Sequence, residues 1–169
     1  MFAGPSKSAF KWDYHWFLLC WTASFTQKEV KVGSSVETWL GKVSSSKRLV
    51  VGNKPKPHQP AVLLWFVNQA NSKSTGLHEW KVVKGDLARA IRDAGGSGSP
   101  ESPVGVLTKN GILTIEGGTP PRTGSSPEAR MKLNAENPKI GLPHEVWLEV
   151  TSQAEARERA IEALSKLLQ

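Results

Sequence analysis

The 169-residue chain has one cysteine, one tyrosine and two methionines. The single Cys20 excludes an internal disulfide and any cysteine-rich zinc site. Histidines are scarce as well: His15, His58, His78 and His144 are never closer than 20 positions apart, and no H-E-x-x-H occurs. No metal site and no cofactor are therefore expected. Nowhere does the chain approach the roughly 18 consecutive apolar residues of a membrane span. Its longest apolar run, Trp16–Trp21, has the length of a core segment. A long apolar stretch ending in a small-residue cleavage site is also missing near Lys7 and Lys11, so a cytoplasmic rather than secreted protein is expected. There is no G-x-S-x-G, and Cys20 lies in an aromatic run where an inert buried thiol is the default. Gly95-Gly96-Ser97-Gly98 follows a helical pattern and lacks the Lys-Ser/Thr pair of a phosphate loop, so it reads as a flexible linker.

Tryptophan and positive charge are what the chain does have. Seven Trp stand against the one Tyr, three of them within Trp12–Trp21. The net charge is +7 and the pI about 9.7. Residues 1–57 hold nine Lys/Arg against Asp13, Glu29 and Glu37, so +6 of the +7 lies there. Residues 104–169 carry eight basic and eight acidic side chains and are neutral. A one-sided basic excess favours a polyanion, because each neutralised phosphate releases condensed counterions.

The periodicity predicts an α+β domain, mainly helical, with a small antiparallel β-hairpin sheet. Ser35 can cap a helix that buries Val36, Trp39, Leu40 and Val43. Gly52–Pro57 breaks regular structure and keeps Lys54 and Lys56 extended. Pro60–Asn71 reads as the buried central helix, since Ala61–Val67 is almost wholly apolar. Glu79–Val83 reads as a strand, and Asp86 as the cap of a helix over Leu87–Ala94. Val104–Thr108 and Ile112–Glu116 flank Asn110-Gly111 and read as a hairpin. Helices follow over Glu128–Ala135 and Ser152–Leu168. Phe10–Phe25 fits neither period.

Lys54, Lys56, His58 and Gln59 stand just before the start of the central helix. Such a helix end has unpaired N–H groups and a partial positive charge that attract phosphate. The same two residues, His58 and Gln59, could equally do no more than cap the helix.

These residues resemble a known family, the sulfur-binding domain found ahead of the HNH nuclease in McrA-type, phosphorothioate-dependent restriction enzymes. Its P-H-K/R-P run before a Leu-rich helix is seen here as Pro57-His58-Gln59-Pro60 and Ala61–Val67. Its Y-P-x-x segment is matched by Ser102-Pro103-Val104-Gly105-Val106, and its G-L-P segment by Gly141-Leu142-Pro143. Order and spacing agree over Val36–Gln169, whereas the first 35 residues match nothing in the family. The resemblance implies a recognition domain over 36–169, with 1–35 as an aromatic and basic extension packed on it. It implies a partner, double-stranded phosphorothioated DNA, and a function as the recognition module of a modification-dependent restriction system. It implies no catalysis, so cleavage would fall to a separate nuclease domain or subunit.

Carried over by position, Pro103 would supply an apolar wall and Val106 a second apolar face. His58 and Gln59 would touch the modified or neighbouring phosphate. Arg122, with Arg130 as the second choice, would reach the backbone or a base edge, and Lys109 and Asn110 could read a groove. Gln59 stands where relatives usually have Lys or Arg, and Ser102 where they often have Tyr. Two other classes stay open at this level. One is a metal-dependent nuclease using Asp13, Glu29 and Lys31; the other is a protein-interaction module using Trp12, Trp16 and Trp21.

Overall fold

The structure, a computed structural model, describes residues 34–46, 50–51, 54–70, 75–97, 99–122 and 126–169. The expectations for residues 1–33, which include Asp13, Glu29, Lys31, Cys20 and Phe10–Phe25, lie outside the described residues.

The first helix, α1 (Ser35–Ser45), is capped one residue earlier than its sequence suggests. Ser34 is the cap, and its Oγ accepts the Glu37 N–H at 3.0 Å, so Ser35 is already helical. Val36, Trp39 and Val43 are buried as the spacing predicts. The Trp39 indole Nε1–H donates to the Ile112 carbonyl at 2.9 Å, inside the core. A two-stranded antiparallel ladder follows, β1 (Val50–Val51) with β2 (Lys54–Pro55). The Lys54–Pro55 segment is thus extended, and it runs almost directly into the next helix.

That helix, α2 (His58–Gln69), is the centre of the domain. Ala61, Val62, Leu63, Phe66 and Val67 are all buried, and its neighbours are α7 (Ala154–Lys166), α3 (Trp80–Asp93) and α4 (Glu101–Lys109). Full burial of each large apolar side chain is worth about 1.5–3 kcal/mol. The helix starts two residues before Pro60 because Pro57 itself takes helical dihedrals (φ −77°, ψ −2°). Pro60 then occupies the first turn, where its missing N–H costs nothing.

Two sequence expectations are overturned in the middle of the chain. The segment Glu79–Val83 is not a strand: β3 is Leu77–Glu79, and α3 begins at Trp80. Asp86 is therefore inside α3 rather than its cap. Trp80, Val83, Leu87 and Ile91 form one buried stripe at helical spacing, and this outweighs the β-branched pair Val82-Val83. The start of α3 is held from outside, by Trp80 N–H donating to the Pro138 carbonyl and Lys81 N–H to Asn137 Oδ1, both at 2.9 Å.

The second correction is larger. Val104–Thr108 is not one arm of a hairpin but part of α4. Asn110-Gly111 ends that helix. Gly111 has φ +64°, its N–H donates to Thr108 O at 3.1 Å, and Ile112 N–H donates to Leu107 O at 2.9 Å. Those paired bonds form the Schellman ending of a helix, which needs the same positive φ as a tight hairpin turn. Ile112 and Leu113 then plug into the core.

The sheet is assembled from strands distant in sequence. The strand β4 (Thr114–Glu116) and β3 flank β5 (Lys139–Gly141), both antiparallel to it, in the order β3-β5-β4. Between β4 and β5 lies α5 (Ser126–Glu136). The C-terminal helix expected over Ser152–Leu168 is α7, and a further helix not expected from the sequence, α6 (His144–Ser152), precedes it and is parted from it at Gln153 in extended geometry. Ala156, Ala160 and Leu164 are buried as expected, while Ile161, Leu167 and Leu168 are half-buried. The class is α+β, mainly helical, with a small antiparallel sheet. No described helix is long and apolar enough to cross a membrane.

Candidate nucleic-acid interface

Two helices of this domain begin in the same way. Pro57-His58-Gln59-Pro60 opens α2 and Pro100-Glu101-Ser102-Pro103 opens α4. In both, the cap is a proline in the helical region and no side chain caps the end. The proline three residues on has no N–H, so each first turn has one orphan donor fewer to satisfy. The acidic content differs: α2 has no acid in its first turn, whereas α4 has Glu101.

A short connection brings the two starts together. The end of α3 closes on Gly95 (φ +78°), with Gly95 N–H donating to Arg92 O at 2.9 Å and Gly96 N–H to Ile91 O at 2.8 Å. The stretch expected to be a flexible linker therefore begins as a Schellman ending with fixed geometry. Gly96 sits where a Cβ would meet Ile91 Cγ2 at 2.8 Å, Ile91 O at 2.9 Å and His58 Cε1 at 3.1 Å. Only glycine leaves room for the imidazole. His58 Nε2–H donates to the Ser97 carbonyl, an acceptor-only group that defines which ring nitrogen carries the proton. Nδ1 is buried and has no hydrogen-bond partner among the described residues. His58 thus ties the start of α2 to the approach to α4, 39 residues away.

Next to His58, Gln59 is 8% exposed and has no hydrogen-bond partner among the described residues. Lys56 is half-buried just ahead of α2. Lys54 lies in β2; its side chain is outside the described residues. On α4, Pro103 is buried, while Ser102 and Val106 are half-buried. Of the two residues expected to line an apolar cup, Val106 offers more surface than Pro103. Gly105 is packed so closely that an added Cβ would lie 3.0 Å from Ala129 Cβ and 3.2 Å from Pro121 Cγ. That contact sets Pro121 against the middle of α4, and the next residue, Arg122, is exposed. The Arg122 backbone N–H donates to Glu128 Oε1 at 2.7 Å, which anchors its main chain.

Lys109 and Asn110 are exposed but sit at the opposite end of α4, about 10 Å along the helix from Ser102. Lys109 also complements the negative end of that helix. The structure therefore places Lys56, His58 and Gln59 at the start of α2, Ser102 and Pro103 in the first turn of α4 with Val106 one turn further on, and Lys109 and Asn110 at the far end of α4. Arg130 is exposed on α5, where it lines an open groove of about 360 Å³ with Pro127, Met131 and Asn134.

The sequence reading missed Glu101. It is 1% exposed, and Oε1 pairs with Lys84 Nζ at 2.9 Å, while Oε2 has no hydrogen-bond partner among the described residues. Burial raises the carboxyl pKa, but hydrogen bonding from Lys84, Ser99 and its own backbone N–H, together with the Lys84 charge, more than offsets that. Glu101 is held below the usual carboxylate range. Lys84 also donates to Asn134 Oδ1 at 3.2 Å, an atom that accepts the Trp80 indole N–H at 2.9 Å. An acid in the first turn of a helix was the available signal, and it was hidden by reading 104–108 as a strand. Among the described residues no group of three or more His, Cys, Asp or Glu is placed to hold a metal.

Two proline-opened helix starts, one of them free of acid, and an exposed arginine are the features of this face that suit an anion. A family model described as the ScoMcrA-like DNA sulfur-binding domain matches residues 36–168, and the chain belongs to that family. Among solved structures, it is similar to "Sulfur binding domain of SprMcrA complexed with phosphorothioated DNA" (TM-score 0.70, 25% identity, 78% of this chain and 84% of that one). The corresponding ScoMcrA domain, also complexed with phosphorothioated DNA, shares the fold at TM-score 0.63 and 22% identity (75% and 84% covered). The ScoMcrA restriction endonuclease shares it too, at TM-score 0.62 and 22% identity, and there 76% of this chain spans 29% of the longer one. No curated protein matches the chain.

Proposed function

We propose that this chain binds double-stranded DNA and recognises a backbone phosphorothioate, as the non-catalytic recognition module of a modification-dependent restriction system in the cytoplasm. Cleavage belongs to a separate nuclease domain or partner. Membership of the sulfur-binding family over residues 36–168 carries this reading. The start of α2, with Gln59, Lys56 and the anchored His58, takes the anionic oxygens. Val106 and the rim of Pro103 take the sulfur, and Arg122 reaches the backbone or a base edge. Because His58 Nε2 is engaged by Ser97, contact from His58 itself comes through its backbone N–H or needs the Ser97 bond to open.

The chemistry is a balance of two surfaces. Sulfur is larger, more polarisable and more poorly hydrated than oxygen, yet the group keeps its negative charge. An apolar face next to N–H donors therefore suits it better than either feature alone. Removing about 40 Å² of such surface from water is worth roughly 1 kcal/mol, or about fivefold in affinity. Most of the affinity must then come from contacts shared with unmodified DNA. Ser102, in place of the usual Tyr, makes the apolar face smaller. The test is a titration of modified and plain duplexes of one sequence at fixed salt. A preference of about fivefold for the modified duplex is expected, and equal affinity would sink the sulfur reading.

A further inference from the structure

The two matching helix starts differ in one charge, and that charge is buried. The first turn of α2 has no acid and carries an open positive end. In α4 the Glu101 carboxylate lies within the first turn, 1% exposed and clamped by Lys84 at 2.9 Å. A carboxylate there answers the partial positive charge of the helix end. An ion pair is a costly way to hold a helix start, since an apolar residue of similar size is often as stabilising. The placement therefore calls for a reason beyond packing.

We infer that Glu101 is a specificity-determining residue: its buried carboxylate cancels the positive end of α4, so that the surface beside Pro103 and Val106 favours sulfur by refusing oxygen. Oxygen of a phosphate is a strong hydrogen-bond acceptor and gains from an open helix end; sulfur is a weak acceptor and gains little. With one start open and the other cancelled, the charged oxygens are directed to α2 and the apolar atom to α4. This rests on the proposed phosphorothioate reading.

The measurement is affinity of the full chain for modified and plain duplexes at fixed salt, before and after Glu101→Gln. Plain duplex should bind about threefold more tightly to the variant, the worth of one charge at a helix end. Modified duplex should gain less, so the preference falls. A preference left unchanged, whether both duplexes gain or both lose, would overturn the inference. Lys84→Gln provides a second test that keeps the carboxylate and strips its counter-charge. There plain duplex should weaken more than modified and the preference should rise; an unchanged or reduced preference counts against the inference. Equal binding of both duplexes by the unaltered chain would instead remove the function itself, so the two failures are told apart.

Discussion

Replacing Gly96 by alanine should damage the domain at one point and reveal how His58 is held. The added methyl would sit 2.8 Å from Ile91 Cγ2, 2.9 Å from the Ile91 carbonyl and 3.1 Å from His58 Cε1. Ile91 is fully buried and its carbonyl accepts the Gly96 N–H, so neither atom can retreat without loosening the end of α3. Overpacking a closed site costs typically 1–3 kcal/mol. About 2 kcal/mol in a domain of this size lowers Tm by roughly 4–8 °C. The two contacts under 3.0 Å are both to Ile91, so residue 96 must move away from the end of α3 and carry the adjoining Ser97 carbonyl with it, and the His58–Ser97 bond should lengthen or break. Thermal unfolding measures the first effect, and the His58 ring signals in a heteronuclear NMR spectrum measure the second. Gly95→Ala is the control. Gly95 has φ +78° and nothing within 4 Å of a built Cβ, so its cost is backbone strain of about 1 kcal/mol, and His58 should not move. An alanine at 96 that keeps both Tm and the His58 signals would refute the reasoning.

Three further outcomes follow from particular contacts. Trp39→Phe removes the indole donor from the buried Ile112 carbonyl and should destabilise by about 1–3 kcal/mol, read as a lower urea midpoint with an unchanged slope. His78, packed edge-on against Trp65 with ring centroids 5.5 Å apart, has its pKa lowered by burial. The unfolded chain then binds its proton more readily, so the contribution is full above the ordinary histidine range and is lost as pH falls below about 6.5. Tm measured between pH 7.5 and 5.5 should drop, and His78→Phe should flatten that drop. Reversing Lys54 and Lys56 to Glu should weaken modified and plain duplexes alike and flatten the dependence of affinity on salt, since these lysines would act on phosphate charge rather than on sulfur.

The parts of the fold that sequence revealed were those governed by one dominant period. Ala61–Val67 is apolar all round and is the central helix; Val36, Trp39 and Val43 keep helical spacing and are buried. What misled was a signal shared by two structures. Asn110-Gly111 supplies a positive φ, which a hairpin turn and a helix ending both require, and flanking apolar residues suit either. Only Pro100-Glu101 ahead of Pro103 could have favoured the helix, through an acid and a proline placed in a first turn. Gly95-Gly96 misled for the same reason: flexibility was inferred from composition, although a close contact with Ile91 and His58 dictates the second glycine. For the proposed interface, short motifs marked the segments that open α2 and α4. Sequence could not show that His58 is fastened to Ser97, that Pro103 is buried or that Glu101 is paired with Lys84, because each depends on contacts across α2, α3 and α4.

The His58–Ser97 tie has a consequence for how the molecule would behave in the presence of its partner. It joins positions 39 residues apart, and both of the surfaces it aligns are lost as soon as α2 and α4 separate. A ligand spanning those surfaces engages only the closed arrangement, so occupancy and cooperative folding are linked quantities. At a hundred times the dissociation constant, such a ligand adds about 2.7 kcal/mol to the stability of the bound form. Slower amide exchange should then be felt across α2 and the start of α4 together, making protection of the central helix a reporter of recognition at its end.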